Sequence, residues 1–356
     1  MRLVFVTQQV DADHPVLAQT VDVLLELAAR FESVDVLCDA IGRHDMPPNV
    51  TLRTFGAATR AGRGLRFERA LAAALRHRPD AVLVHMVPLF VLLAAPLVKP
   101  RRIPLVLWYT HWHASRSLRL SLPLLDRVLS VSASSFPLPT PKLTATGHAI
   151  DVDTFAPAGR ERAEGPLRLL AFGRTARWKG YDTMLAAVEL ASARGHEVEL
   201  EIRGPQLTED ERAHRRELES AIAASPVLSA CARVEPPLPR DELPAVIAAA
   251  DAVVSATQPR ASETLDKVVY EAAACGVPVV SSNSALDDFL GGLPLRLRFP
   301  PRDAEALAER IADLVAATPA EREAVGAELR RRVVEGHSVR SWAAAVAGIV
   351  AGQGPG

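Results

Sequence analysis

Cysteine is scarce in this chain: 356 residues contain three, Cys38, Cys231 and Cys275, far apart and never in CxxC spacing. That excludes a disulfide framework and a structural zinc site, and it fits a reducing compartment. Aromatic residues are only 5% of the chain, and "RGLRFER", in its most basic stretch, lacks the aromatic and motif context of a nucleic-acid binder. There is no Walker loop, no GxSxG elbow and no zinc set. The opening "MRLVFVTQQV" has too short an apolar run for a signal peptide and reads as a first buried strand. The run at 81–98, "AVLVHMVPLFVLLAAPLV", has barely the length of a spanning helix and is apolar except for His85. Pro88 and Pro96 divide it into a strand, "DAVLVHM", and a Pro-started helix, so no transmembrane segment is expected.

What is present describes a folded protein. Hydrophobic residues make up 49% and charged residues 23%, and the length suits two domains better than one core. The net charge of −1 is unevenly spread: residues 1–150 hold 17 Lys/Arg against 11 Asp/Glu, or +6, leaving −7 for the rest. A basic half beside an acidic half suggests different partners for each. The densest basic stretch, "RAGRGLRFERALAAALRHR", places Phe67, Leu71 and Leu75 on one helical stripe among arginines. Its basic remainder is either a solvated face or a patch for anionic lipid or acceptor.

Short apolar strands alternate with amphipathic helices almost throughout, the pattern of parallel sheets covered on both faces. Strands are expected at "RLVFVT", "VDVLC", "DAVLVHM", "IPLVLWY" and "RVLSVS", with a helix carrying Leu17, Val21, Leu24, Ala28 and Phe31 after the first. A linker-like "APAGRERAEGP" follows, and the alternation restarts with "LRLLAF", "EVELEIRG" and "DAVVSA" as strands. Helices close the chain at about 302–317, 319–335 and 338–351. The expected architecture is α/β, two Rossmann-like doubly wound domains facing a central cleft. The boundaries are 1–155, 156–338 and a C-terminal helix and tail at 339–356 that packs back toward the first domain.

Two segments carry the chemistry. In "AFGRTARWKGYDTM", Gly173 lets the chain turn off a strand end, and Arg174 and Lys179 flank the start of a helix. Cations beside a helix N-terminus suit a pyrophosphate, because free amides and the dipole both favour negative charge. A surface turn is the alternative. In "ASETLDKVVYEAAACGVPVV" a helix is expected from about Leu265, with Glu263 ahead of it and Glu271 about two turns in. Either both carboxylates approach a ligand, or Glu263 is N-terminal helix charge and Glu271 a structural ion pair.

Together, "GR…KG" and the two glutamates with "EAAACGVPVV" resemble the retaining GT-B glycosyltransferases of glycosyltransferase family 4 (glycosyl transferases group 1), over nearly the whole chain. "LWYTH", "DRVLSVS" and "TGHAIDVDTFAP" fall where that family has corresponding segments. The resemblance implies that Arg174 and Lys179 neutralise a donor diphosphate and that Glu271 holds the donor ribose. It implies that Glu263 faces the transferred sugar and that His111 lies beside donor sugar and acceptor. Gly173, Thr264 and Leu265 would complete the donor site. The chain departs from the family at Thr264, Leu265, Asp266 and Lys267, where many members have a Gly-Phe-Gly turn, and at Ala149, where glycine is common. Asp266 and Lys267 either replace amide contacts to the sugar or cap the helix.

Asp11 with Asp13, and Asp151 with Asp153, match a short DxD metal pattern, but two cations already suit a leaving diphosphate, so metal independence is expected. The expected activity is transfer of a sugar, with retention, from a UDP- or GDP-linked nucleotide-sugar to a glycan, lipid-linked or small-molecule acceptor hydroxyl. No cofactor and no nucleic-acid partner are expected. The expected location is cytoplasmic, with the inner face of the membrane as a further option. The alternatives are a GT-B sugar-nucleotide epimerase or hydrolase, and a non-catalytic nucleotide-sugar-binding protein.

Overall fold

A computed structural model of the chain describes residues 1–14, 16–111, 113–159, 165–258 and 266–352. The described elements begin with β1 (Arg2–Val10), α1 (Gln19–Ala28), β2 (Ser33–Ile41), β3 (Val50–Thr54), α2 (Arg60–Ala74), β4 (Ala81–His85) and α3 (Pro88–Val98). They continue with β5 (Leu105–Trp108), α4 (Arg116–Ser121), β6 (Arg127–Ser130) and β7 (Leu143–Ala145). Next come β8 (Leu167–Phe172), α5 (Tyr181–Ala193), β9 (Val198–Arg203), α6 (Glu209–Ala224), α7 (Pro226–Cys231) and β10 (Ala232–Glu235). The last are α8 (Leu243–Ala249), β11 (Ala252–Ser255), α9 (Lys267–Ala274), β12 (Val279–Ser281), α10 (Asp287–Leu290), α11 (Ala304–Ala316), α12 (Pro319–Gly336) and α13 (Val339–Val350).

The chain divides into two compact units, Met1–Asp151 with Gly336–Gly356, and Val152–Glu335. The division falls a few residues ahead of the boundaries expected at 155–156 and 338–339. The reason is a parallel bridge between Ile150 and Ser338, which ties both crossing points into the first unit. In that unit the described strands form one parallel sheet in the order β3-β2-β1-β4-β5-β6-β7. Period-two alternation sorts β1 onto both faces. Leu3 and Phe5 join Val21 and Leu24 of α1 and Trp342 of α13 in one apolar cluster. Val4 and Val6 join Phe67 and Leu71 of α2 and Val91 of α3 in another. A strand covered on both sides has no polar face, which is why Ala81, Val82, Leu83 and Val84 of β4 are all at most 1% exposed. Pro88 sits in the first turn of α3, where its missing N–H costs nothing.

The second unit holds a smaller parallel sheet, β10-β9-β8-β11-β12. Its helices carry local start signals: the Thr208 hydroxyl accepts from the Glu211 amide at 3.2 Å, and Glu209, Asp210 and Glu211 fill the first turn of α6. Six short elements escaped the sequence reading: β3, α4, β7, α7, β10 and α10. The helix expected from Leu265 is described from Lys267 on, which puts Glu271 at the start of its second turn; Leu265 itself lies outside the described residues. Val269, Ala272 and Ala273 are buried, whereas Val268 is half-buried. Ala149 is buried with φ +57°, a conformation in which glycine is unstrained and alanine costs about 1–2 kcal/mol.

Candidate functional site

In the second unit the strand order reverses between β8 and β11, since the chain leaves β8 for β9 on one side and reaches β11 on the other. Open α/β sheets bind ligands at the carboxyl ends of strands at such a reversal, where two loops diverge and leave a crevice. The loop after β8 is "GRTARWK". Gly173 has φ +125°, a conformation for glycine, and its amide donates to the Arg203 carbonyl at the end of β9 at 2.9 Å. A 3-10 turn, Arg177–Lys179, then leads through Gly180 (φ +69°) into α5. No side chain caps the start of α5, so its first amides have no side-chain cap acceptor among the described residues.

This loop is anchored from beneath. The buried Tyr181 hydroxyl donates to the Gly173 carbonyl at 3.0 Å. Burial, and then the charges of Asp266 and Glu211, push that phenol well above its ordinary value, so it remains a donor. His214 of α6 donates from Nδ1 to the Thr175 carbonyl at 3.1 Å.

Both sequence-predicted cations are present, and each already has an internal carboxylate. Lys179, 7% exposed, donates from Nζ to Asp266 Oδ1 at 2.7 Å and to Oδ2 at 3.0 Å. Asp266 Oδ2 also accepts from the Ser255 hydroxyl at 3.0 Å and the Thr257 hydroxyl at 2.6 Å, both at the end of β11. Burial works to raise the Asp266 carboxyl, but the Lys179 ammonium and the two hydroxyls outweigh it and hold it below the usual carboxylate range. Asp266 is the residue before α9, yet its side chain makes no cap bond there. Arg174, the more exposed cation, pairs with the buried Glu211 of α6, whose other oxygen accepts from the Leu207 amide at 2.6 Å.

Glu271 is buried on α9 and pairs with Lys267 one turn earlier, at 2.8 Å. Glu263, Thr264 and Leu265 lie outside the described residues. His111 belongs to the first unit, in the loop after β5, where it is exposed and its Nδ1 accepts from the His113 amide at 3.1 Å. In that unit the strand reversal lies between β1 and β4, and there the Thr7 hydroxyl and His85 Nδ1 are 3.1 Å apart. Burial pulls the His85 imidazole down to about 4, so the ring is neutral at physiological pH. His85 was the one polar residue in its apolar run, the only sequence signal it offered. Glu211, Ser255, Thr257 and Tyr181 gave no signal, because each reads locally as helix-start charge, strand end or helix start.

Of the DxD pairs, Asp11 accepts from the amides of Asp13 and Arg43 at 3.0 and 3.1 Å, and Asp13 pairs with Arg43. Among the described residues no group of three or more His, Cys, Asp or Glu side chains is placed to share a metal ion. Among them, too, no helix is long and apolar enough to cross a membrane.

Comparison with known proteins bears on this arrangement. Residues 166–317 match the family model described as glycosyl transferases group 1. The D-inositol 3-phosphate glycosyltransferase of Pseudarthrobacter chlorophenolicus is 33% identical over 142 residues, which cover 37% of this chain and 32% of that relative. Thus the match spans about a third of the curated relative's length. Among solved structures, the sucrose-phosphate synthase of Thermosynechococcus elongatus superposes with a TM-score of 0.76 at 18% identity, over 99% of this chain and 98% of that one. Anabaena HepE, solved with UDP-glucose, gives a TM-score of 0.74 at 16% identity, over 99% and 100% of the two chains. With two parallel sheets, of seven and five strands among the described residues, the chain has the GT-B fold of these solved structures, and its residues 166–317 are similar to the glycosyl transferases group 1.

Proposed function

We propose that the protein is a retaining glycosyltransferase that takes a sugar from a nucleotide-sugar, UDP-linked by analogy with the HepE complex, and moves it to an acceptor hydroxyl. The observation that carries this reading is the pair of cations, Arg174 and Lys179, on the loop after β8 at the strand reversal of the five-stranded sheet. The diphosphate would displace Glu211 and Asp266 from these cations in part, exchanging internal carboxylates for phosphate oxygens. Arg174 suits a planar, two-point contact and Lys179 a point charge. The free amides at the start of α5 add to the same field.

Glu271 is the group for the donor ribose, because a carboxylate accepts from two adjacent hydroxyls; Glu263 faces the transferred sugar, and His111 serves the acceptor side. As the bond from the sugar to the β-phosphate breaks, the leaving oxygen gains charge, and Arg174 and Lys179 stabilise it. The acceptor attacks from the same face, and the departing phosphate oxygen takes its proton. Losing one such charge contact costs on the order of a hundredfold in rate. No resident cofactor takes part, and the cations do the work a metal would do on the diphosphate.

The test is calorimetry with UDP, GDP and ADP, followed by turnover of the matching sugar nucleotides with and without acceptors. Lys179→Ala should weaken the bound nucleoside diphosphate at least tenfold, and unchanged affinity would remove Lys179 from the site. An altered sugar formed from donor alone would instead establish an epimerase or hydrolase.

A further inference from the structure

A cationic cavity lies in the first unit, at the edge of its sheet opposite to the loop that holds His111. Its lining comes from 72–80, which precedes β4, and 101–104, which precedes β5, so it opens at the amino ends of these strands. His111 follows the carboxyl end of β5 and is therefore on the far edge. The cavity has a volume of about 830 Å³, within the range of roughly 300–1,000 Å³ found for small-molecule sites.

Four arginines line it: Arg76, Arg78, Arg101 and Arg102. The one acidic residue in the lining is Asp80, whose carboxylate accepts from the backbone amide of Arg2 at 2.6 Å. Arg101 donates to the Leu97 carbonyl at 2.7 Å, while the side chains of Arg76, Arg78 and Arg102 have no hydrogen bond or ion pair among the described residues. All four guanidinium-bearing residues are exposed, and Asp80 is the single counter-charge in the lining, so like charges gather around one concavity and favour an anion there.

The backbone supplies an independent observation. Arg78 and Arg102 end equivalent 3-10 turns, Leu75–His77 and Lys99–Arg101, each in the left-handed conformation with φ +51° and +56°. They are two of only five non-glycine residues at positive φ among the described residues. Glycine or asparagine is the usual occupant of such a helix-terminating position. Arginine there is strained, and nothing in the fold uses its side chain. Strain held at a residue with no structural task for its side chain points to a ligand for that side chain.

We propose that this cavity binds a soluble, multiply phosphorylated ligand, with the arginine forks on its phosphates. Planar guanidinium groups match phosphate oxygens two at a time, and several phosphates would neutralise four cations at once. The apolar base supplied by Leu75 and Ile103 accommodates the organic part. A concave site of this volume suits a small polyanion better than a flat lipid surface.

The probe is tripolyphosphate added to the full chain, followed by hydrogen–deuterium exchange over residues 75–80 and 99–104, with Tm recorded in parallel. The expected result is slower exchange in both segments at submillimolar probe. Arg78→Gly with Arg102→Gly should weaken that protection at least tenfold in probe concentration while leaving Tm unchanged or higher, since glycine relieves both turns. Should the glycine pair lower Tm, Arg76→Gln carries the same expectation without touching either turn. No protection at millimolar tripolyphosphate, equal protection in the variants, or protection only by phosphatidylglycerol vesicles would overturn the proposal.

Discussion

Lys179 and Asp266, 87 positions apart in the chain, form a two-point ion pair at the strand reversal of the five-stranded sheet, with side chains 9% and 10% exposed. Desolvating both charges is costly, so removing one partner strands the other. Asp266→Asn keeps the shape and the contacts to Ser255 and Thr257 but leaves Lys179 uncompensated. It should cost about 3 kcal/mol of stability and, on the proposed function, tighten nucleoside diphosphate binding, because the phosphate no longer competes with an internal carboxylate. Urea unfolding and calorimetry on the same variant check both, and a variant unchanged in both would contradict the relationship.

The pH dependence of that pair has a definite sign. The folded-state carboxyl of Asp266 is held below its ordinary value of 3.8. Its contribution to stability is therefore complete above that value and is lost as pH falls through the lower folded value. The stability gap between wild type and Asp266→Asn should be constant from pH 7 to 5 and should close below pH 3.8. A gap that widened on acidification would mean the carboxyl is held above its ordinary value instead.

Trp342 of α13 is completely buried, and its ring lies 4.2 Å from that of Trp108 at the end of β5. Trp342→Ala should cost about 4 kcal/mol, the transfer of a large ring plus the cavity it leaves. Denaturant unfolding followed by tryptophan fluorescence measures it; a loss below about 1 kcal/mol would mean that α13 is not part of the core.

The three thiols should differ in reactivity. Cys38 and Cys275 are buried, and burial, followed by a neighbouring carboxylate (Asp39 and Glu271 respectively), pushes both thiols up to about 12. Cys231 is half-buried and less perturbed, though burial raises it too. Maleimide labelling of the native protein at pH 7.5, read by peptide mass mapping, should therefore modify Cys231 first and the other two only after unfolding. Early labelling of Cys275 would show that α9 opens readily.

Much of this architecture was legible because strands buried on both faces are written as unbroken apolar runs. β1, β4, β5, β8 and β11, all interior to their sheets, were found this way. The strands that escaped, β3, β7 and β10, are all edge strands. An edge strand has one neighbour and less cover: β3 reads "VTLRT" and none of its residues is fully buried, so its sequence has no pressure toward an apolar run. The site divides in the same manner. Gly173, Arg174 and Lys179 could be picked out because a glycine at a strand end followed by cations is a local pattern. Their partners could not, because Asp266 and Glu211 reach them only through the order in which β8, β9 and β11 lie side by side. The DxD pairs were the opposite case, a local pattern that in the first instance is taken up by Arg43.

The first unit is assembled from both sides of the second in sequence, Met1–Asp151 and Gly336–Gly356. This sets an order of events on the ribosome. Residues 152–335 form a continuous stretch and can close their core as soon as they emerge. The seven-stranded sheet has all its strands by Ala145, yet the face made by Leu3, Phe5 and Trp108 is covered only in part, by α1, until Trp342 arrives nearly two hundred residues later. The half of the protein made first is thus finished last, and throughout synthesis of the second unit a nascent chain displays an apolar face of the kind that chaperones hold.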